Sequence, residues 1–151
     1  MLFIGLADTK MSRICILLLL WSLASFGSAE VKKTSSSQEI HYSIVPTLFL
    51  SREIASQYKI TRAKDRSFLS ISIKDKSGKS LKALLTGHRE NLLGQKQKIV
   101  FQEIQEADTI YYLANIKHGR EEHIKFAAQI QMNKGNLEEL KFEKKLYWGA
   151  N

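Results

Sequence analysis

The sequence predicts an all-β fold, a sandwich or barrel of about seven strands, with one short helix after the first. Three observations predict it. Apolar residues recur with a period of two from Glu39 onward. Turn signals punctuate the chain every 8–14 residues or so. Only one stretch carries the signals of a helix start.

The elements follow in order. Ile40, Tyr42 and Ile44 alternate with His41 and Ser43, and Pro46 ends that strand or places it at an edge. Ser51 to Tyr58 offers an N-cap serine, acidic Glu53 in the first turn, and Ile54 and Tyr58 four residues apart. This is a short helix, expected to bridge the first two strands across an end of the sandwich. Leu69, Ile71 and Ile73 form the second strand, and Asp75-Lys76-Ser77-Gly78 turns the chain. Leu81, Ala83 and Leu85 form the third, which Asn91-Leu92-Leu93-Gly94 breaks. Ile99 and Phe101 read as the fourth. Ile110, Tyr112, Ala114 and Ile116 follow the turn Glu106-Ala107-Asp108. Ile124 to Met132 is the cleanest alternation, after Lys117-His118-Gly119-Arg120. Beyond Asn133-Lys134-Gly135-Asn136, Leu140, Phe142, Leu146 and Trp148 form the last strand, with Trp148 expected to close the core.

The N-terminus has a different grammar. Arg13, the apolar run from Ile14 to Leu20 and onward to Phe26, and the small residues Gly27-Ser28-Ala29 have the order of a secretory signal peptide. Residues 1–29 are read as that signal, cleaved after Ala29. Met11 makes the better start, so residues 1–10 read as an extension of the gene model. The apolar run is short of the roughly 20 residues that span a bilayer, so no transmembrane anchor is expected after cleavage. Residues 30–38 read as a polar tether, and 39–151 as one domain. The signal is expected to take the chain out of the cytoplasm.

Cleavage removes Cys15, the only cysteine. A cysteine nucleophile, a thiolate metal site and a redox pair are thereby excluded, and an oxidising compartment is left unexploited. No GxSxG, SxxK or HExxH motif is present. His118 and His123 flank one turn with Glu121 and Glu122 between them, a weak candidate for copper or zinc. The carboxylates Glu103, Glu106 and Asp108 near one turn, and Glu138 and Glu139 near another, read as solubilising loop residues. Of Tyr111 and Tyr112, one ring is expected inside and one at the surface. No cofactor is expected.

The charge is uneven. Residues 30–151 carry a net charge of about +7, and Lys59 to Lys98 alone carries eleven basic and three acidic residues. Its densest part is marked by Lys59, Arg62, Lys64 and Arg66. These four form the candidate partner-binding surface, for an envelope protein or an anionic cell-envelope polymer. Export and the lack of a recognition motif argue against nucleic acid.

His41-Tyr42, the stretch from Ile54 to Arg66, Asn91-Leu92-Leu93-Gly94-Gln95, and above all Phe101 to Tyr112 with Glu103, Glu106 and Asp108, resemble a family of small exported proteobacterial proteins. It is known as domain of unknown function 4426. The resemblance spans about Gln38 to Trp148. It implies a compact exported domain, an immunoglobulin-like antiparallel β-sandwich, and it supplies no mechanism. Within it, Asn91, Glu103, Glu106 and Asp108 form a candidate structural polar cluster. Asn91 would set a turn, and the acids would pair with Arg62, Lys64 or Arg66 to pin the helix. The reading is a non-enzymatic binding or accessory module with a basic surface. The alternative is a small hydrolase or metal-dependent enzyme.

Overall fold

The computed structural model describes the backbone of residues 30–33 and all of 38–132, 135 and 137–149. The signal peptide read at 1–29 lies outside the described residues. The alternating segments form antiparallel strands in two sheets. Strands β1 (Glu30–Lys33), β2 (Glu39–Pro46), β3 (Arg66–Lys74), β7 (Thr109–Lys117) and β6 (Gln102–Glu106) lie side by side in that order. The second sheet has the order β5 (Lys96–Ile99), β4 (Ala83–Asn91), β8 (Glu121–Met132) and β9 (Leu137–Tyr147). Reading β2-β3-β7-β6 against β4-β8-β9 gives the ABED and CFG sheets of the immunoglobulin sandwich.

Nine strands among the described residues replace the seven expected, for two reasons. Glu30–Lys33, inside the segment read as a tether, runs antiparallel along β2, with Val31 opposite His41. The segment read as one strand through Ile99 and Phe101 is two. Lys96–Ile99 pairs with β4, and Gln102–Glu106 pairs with β7 in the other sheet. Both Ile99 and Phe101 still pack in the core as the chain crosses between sheets.

The period of two is explained by burial. Leu69, Ile71 and Ile73 meet Ile124, Phe126, Ile130 and Leu140 across the sandwich, all nearly inaccessible. Tyr42 stacks on Phe142 at 4.4 Å between ring centres, and Phe142 on Phe126 at 4.7 Å, closing the side between β2 and β9. Tyr112 is the buried tyrosine of its pair, and its hydroxyl accepts the Ala83 amide at 2.8 Å.

The helix forms where its signals lie. In α1 (Arg52–Gln57) the Ser51 hydroxyl caps the Ile54 amide at 3.2 Å. Its end is a Schellman motif: Ile60 N–H reaches the Ala55 carbonyl and Lys59 N–H reaches that of Ser56, with Lys59 at φ 54°. Its position differs from the expectation. It does not bridge an end of the sandwich but lies on the outer face of the five-stranded sheet. There Leu50, Ile54, Ala55, Tyr58 and Ile60 form a second core with Phe68, Ile104 and Leu113. Those three sheet residues are apolar at outward positions, and the helix supplies their cover.

Candidate functional site

Antiparallel order collects three connections at one end of the sandwich. They are the segment 47–65 between β2 and β3, the β4–β5 turn, and the β7–β8 turn. The ends of β7 and β9 lie with them, because Arg66 is opposite Lys117 and Glu121 is opposite Tyr147. Backbone hydrogen bonds tie these pieces together. His118 N–H donates to Asp65, Gly149 N–H to Lys64, and Trp148 N–H to Arg120, each at 3.0 Å. Thr47, fully buried, donates its hydroxyl to the Ala63 carbonyl and receives the Ala63 amide, both at 3.0 Å.

His118 is the buried keystone of this end. Its Nδ1 lies 2.9 Å from the Gly119 carbonyl, which can only accept, so Nδ1 carries the proton. In the neutral ring Nε2 then accepts from the Ser67 hydroxyl at 3.0 Å. His123 is elsewhere, with Nε2 against Glu143 at 2.9 Å. The two histidines therefore do not meet. Strand alternation buries one and turns the other outward. Among the described residues no three histidine, cysteine or carboxylate side chains are grouped to hold a metal ion.

Trp148 lies half-buried outside the main core rather than closing it. Lys64 Nζ sits 4.8 Å from the indole centre and the Arg120 guanidinium 5.4 Å from it. Arg66 and Lys117, at outward positions, face each other across β3 and β7. Among the described residues none of Lys64, Arg66, Lys117 and Arg120 forms an ion pair, and neither does Asp65. The neighbouring acids are committed elsewhere. Glu122 accepts the Gly119 amide at 2.7 Å and pairs with Arg89, while Glu121 pairs with Lys145.

The structure thus divides the surface expected from Lys59, Arg62, Lys64 and Arg66. Lys64 and Arg66 belong to the cationic end. Arg62 is half-buried and donates Nη2–H to the Leu48 carbonyl at 3.1 Å, a structural role. Lys59 is exposed at the end of α1, on the outer face. Lys117, Arg120 and Trp148 complete the site and were not read from sequence. Their signal, one tryptophan followed through the strand pairing, exists only once register is known.

The polar cluster also divides. Asn91 sets its turn as expected: Oδ1 accepts from Leu93 and Gln95 amides at 3.1 and 3.0 Å, and Gly94 takes φ 76°. The acids do not pair with Arg62, Lys64 or Arg66. Glu106 is opposite Thr109, at the far end of β7 from Lys117 and so from Arg66. Glu103 pairs with Lys82 at 2.8 Å, and Asp108 is exposed on its turn. The pin on the helix is instead Tyr58, whose hydroxyl donates to Glu106 at 2.5 Å. Burial, then this bond to a carboxylate, holds the Tyr58 hydroxyl well above its ordinary pKa. Tyr58→Phe is expected to cost about 2 kcal/mol, the scale of a hydrogen bond to a charged acceptor. Urea unfolding measures it, and an unchanged midpoint would show that the bond contributes nothing.

The open face of the four-stranded sheet offers a contrast. A shallow groove there is lined by Glu90, Lys96, Lys125, Lys141 and Glu143 among others. Its charges alternate in sign and pair, Lys96 with Glu90 at 3.4 Å and Lys141 with Glu139 at 2.9 Å. It presents no single sign to a ligand.

Comparison with known proteins agrees with this architecture. A crystal structure of a DUF4426 family protein from Pseudomonas aeruginosa PAO1 superposes with a TM-score of 0.72 at 22% identity, covering 81% of this chain and 97% of that one. FetP of uropathogenic Escherichia coli strain F11, expressed in the periplasm, matches at TM-score 0.57 and 15% identity, over 82% of this chain and 97% of that one. A copper-bound variant of FetP matches at 0.58 and 15%, over 83% and 94%. At these identities the likeness shows the fold alone. No functionally curated protein matches the chain. The model of the family named domain of unknown function DUF4426 matches residues 32–149, and the chain belongs to that family.

Proposed function

We propose that this protein is a non-enzymatic binding or accessory module of the cell envelope, exported to the periplasm, that receives an anionic partner on its cationic end. One observation carries the reading: Lys64 and Arg120 lie over Trp148, Arg66 and Lys117 stand on the nearby strand ends, and none of the four forms an ion pair among the described residues, while Glu121 and Glu122 are bonded to other groups. Cations that outnumber the one unpaired carboxylate nearby, Asp65, attract anions, and the aromatic ring offers a flat apolar contact. The resemblance of the leader to a signal peptide, and a structural neighbour expressed in the periplasm, support the location. The copper of the FetP variant is a property of that protein and, at 15% identity, is not carried over.

Residues 30–151 contain both sheets and both cores, so they suit the test. Titration with inorganic tripolyphosphate, followed by amide and indole NMR shifts, is expected to move Lys64, Arg66, Lys117, Arg120 and Trp148. Binding should weaken as salt rises. Changing Lys64, Arg66 and Arg120 to serine together should abolish it. Shifts centred on Lys74 to Lys79 at the opposite end, or no response, would overturn the proposal.

A further inference from the structure

The cationic end carries a second feature that an anion site does not need. Leu92 and Leu93 occupy the tip of the β4–β5 turn and are 72% and 83% exposed. They are held out by design of the turn: Asn91 binds the Leu93 and Gln95 amides, its Nδ2 donates to Gln95 at 2.8 Å, and Gly94 supplies the left-handed residue. Tight turns favour polar residues, and two leucines in this one contribute nothing to either core.

Register locates the tip. Asn91 is opposite Ile124, and Ile124 is opposite Lys144. Asn91 therefore lies two strand spacings, about 10 Å, from Lys144, three residues before the end of β9. That end presents Tyr147, 54% exposed, and then Trp148 between Lys64 and Arg120. Lys145, paired with Glu121, lies above the Tyr147 ring at 5.4 Å. One end of the sandwich thus displays an apolar tip, two amphipathic rings and a ring of cations.

We infer that this end docks on an anionic lipid bilayer, with Leu92 and Leu93 entering the acyl region and Tyr147 and Trp148 resting at headgroup depth. The inference rests on the cationic end being the binding surface, and it names the partner. Tyrosine and tryptophan favour the membrane–water interface, and lysine and arginine beside them attract anionic headgroups. The contact is peripheral, made by turns, because no described helix is long and apolar enough to cross a membrane. A bilayer fits better than a protein. The cations are spread over the segment 47–65, the start of β3, the end of β7 and the β7–β8 turn, and a two-leucine tip is far smaller than the ~800 Å² per partner of a stable protein interface. A flat, diffuse anionic surface requires no such area.

Co-sedimentation of residues 30–151 with vesicles of equal parts phosphatidylglycerol and phosphatidylcholine tests it, against phosphatidylcholine alone. Trp148 is the only tryptophan in that segment. Binding to the anionic vesicles should shift its emission to the blue. Changing Leu92 and Leu93 to serine should weaken vesicle binding about tenfold, since partitioning scales with buried apolar area. The same variant should keep its melting temperature and its affinity for tripolyphosphate. Vesicle binding untouched by the leucine changes would overturn the inference. So would tripolyphosphate binding without vesicle binding, which would leave the anion-binding reading standing. Loss of tripolyphosphate binding in the leucine variant would also overturn it, by making the turn part of the anion site. Binding of wild type to neither probe would remove both readings.

Discussion

Gly87→Ala is expected to destabilise the fold by about 3 kcal/mol, at the upper end for forcing extra volume into a packed core. For a chain of this size that is roughly a 10 °C fall in melting temperature. Gly87 lies in the middle of β4, opposite Ile99 on one side and Ala128 on the other. A Cβ there would stand 2.8 Å from the Ala127 carbonyl, 3.3 Å from Ala128 Cα and 3.3 Å from the Phe101 ring. The ring could turn aside, but the first two contacts are backbone of the neighbouring strand. Relief requires parting β4 from β8, which breaks a ladder running from Ala83 to Asn91. The missing side chain has a use: it lets Phe101 lie against the strand just where the chain crosses from one sheet to the other. Thermal unfolding followed by circular dichroism checks this, and a fall of less than about 2 °C, under 1 kcal/mol on the same scale, would show that the sheet yields easily.

His118→Ala should cost a similar amount, about 3 kcal/mol, for a different reason. The substitution empties a buried site and strands the Ser67 hydroxyl, which is 1% exposed, without a partner. An unsatisfied buried hydroxyl is expensive, whereas removing both partners is much less so. Ser67→Ala in the His118→Ala background should therefore be nearly neutral. A double-mutant cycle should give a coupling of about 1 kcal/mol. Strict additivity would show that the two side chains act independently. The loss should also reach the surface, since the His118 backbone receives the Trp148 indole N–H at 3.4 Å and donates to Asp65. Tripolyphosphate affinity should fall in His118→Ala even below its melting range.

How far the sequence could be read follows from which interactions are local. Ile124 to Met132 was legible because a sheet buried on one face writes its period directly into the chain. Ser51 announced α1 because capping acts over three residues. The face that α1 covers was not legible, because Phe68, Ile104 and Leu113 look like ordinary outward positions until the helix is laid on them. The switch at Val100 was hidden for a related reason. Ile99 and Phe101 keep facing the core while their hydrogen-bond partners change sheets, and the alternation records burial, not pairing. The cationic end was half visible. Lys64 and Arg66 stood out by charge density, but Lys117, Arg120 and Trp148 join them only through strand register. The pairing expected of Glu103, Glu106 and Asp108 failed on the same point. Glu106 did anchor the helical segment, through Tyr58, a contact between residues 48 positions apart.

Arg66 standing opposite Lys117 has a consequence for how the molecule senses its surroundings. Two like charges on neighbouring strands repel, and the repulsion falls on the pair that joins β3 to β7 at the site end. On the proposed reading, an anion bound beside the pair would screen that repulsion and relieve the sheet. The proposed partner would then act as a clasp on the open end of the sandwich, and the resistance of this domain to unfolding would gauge whether it is bound.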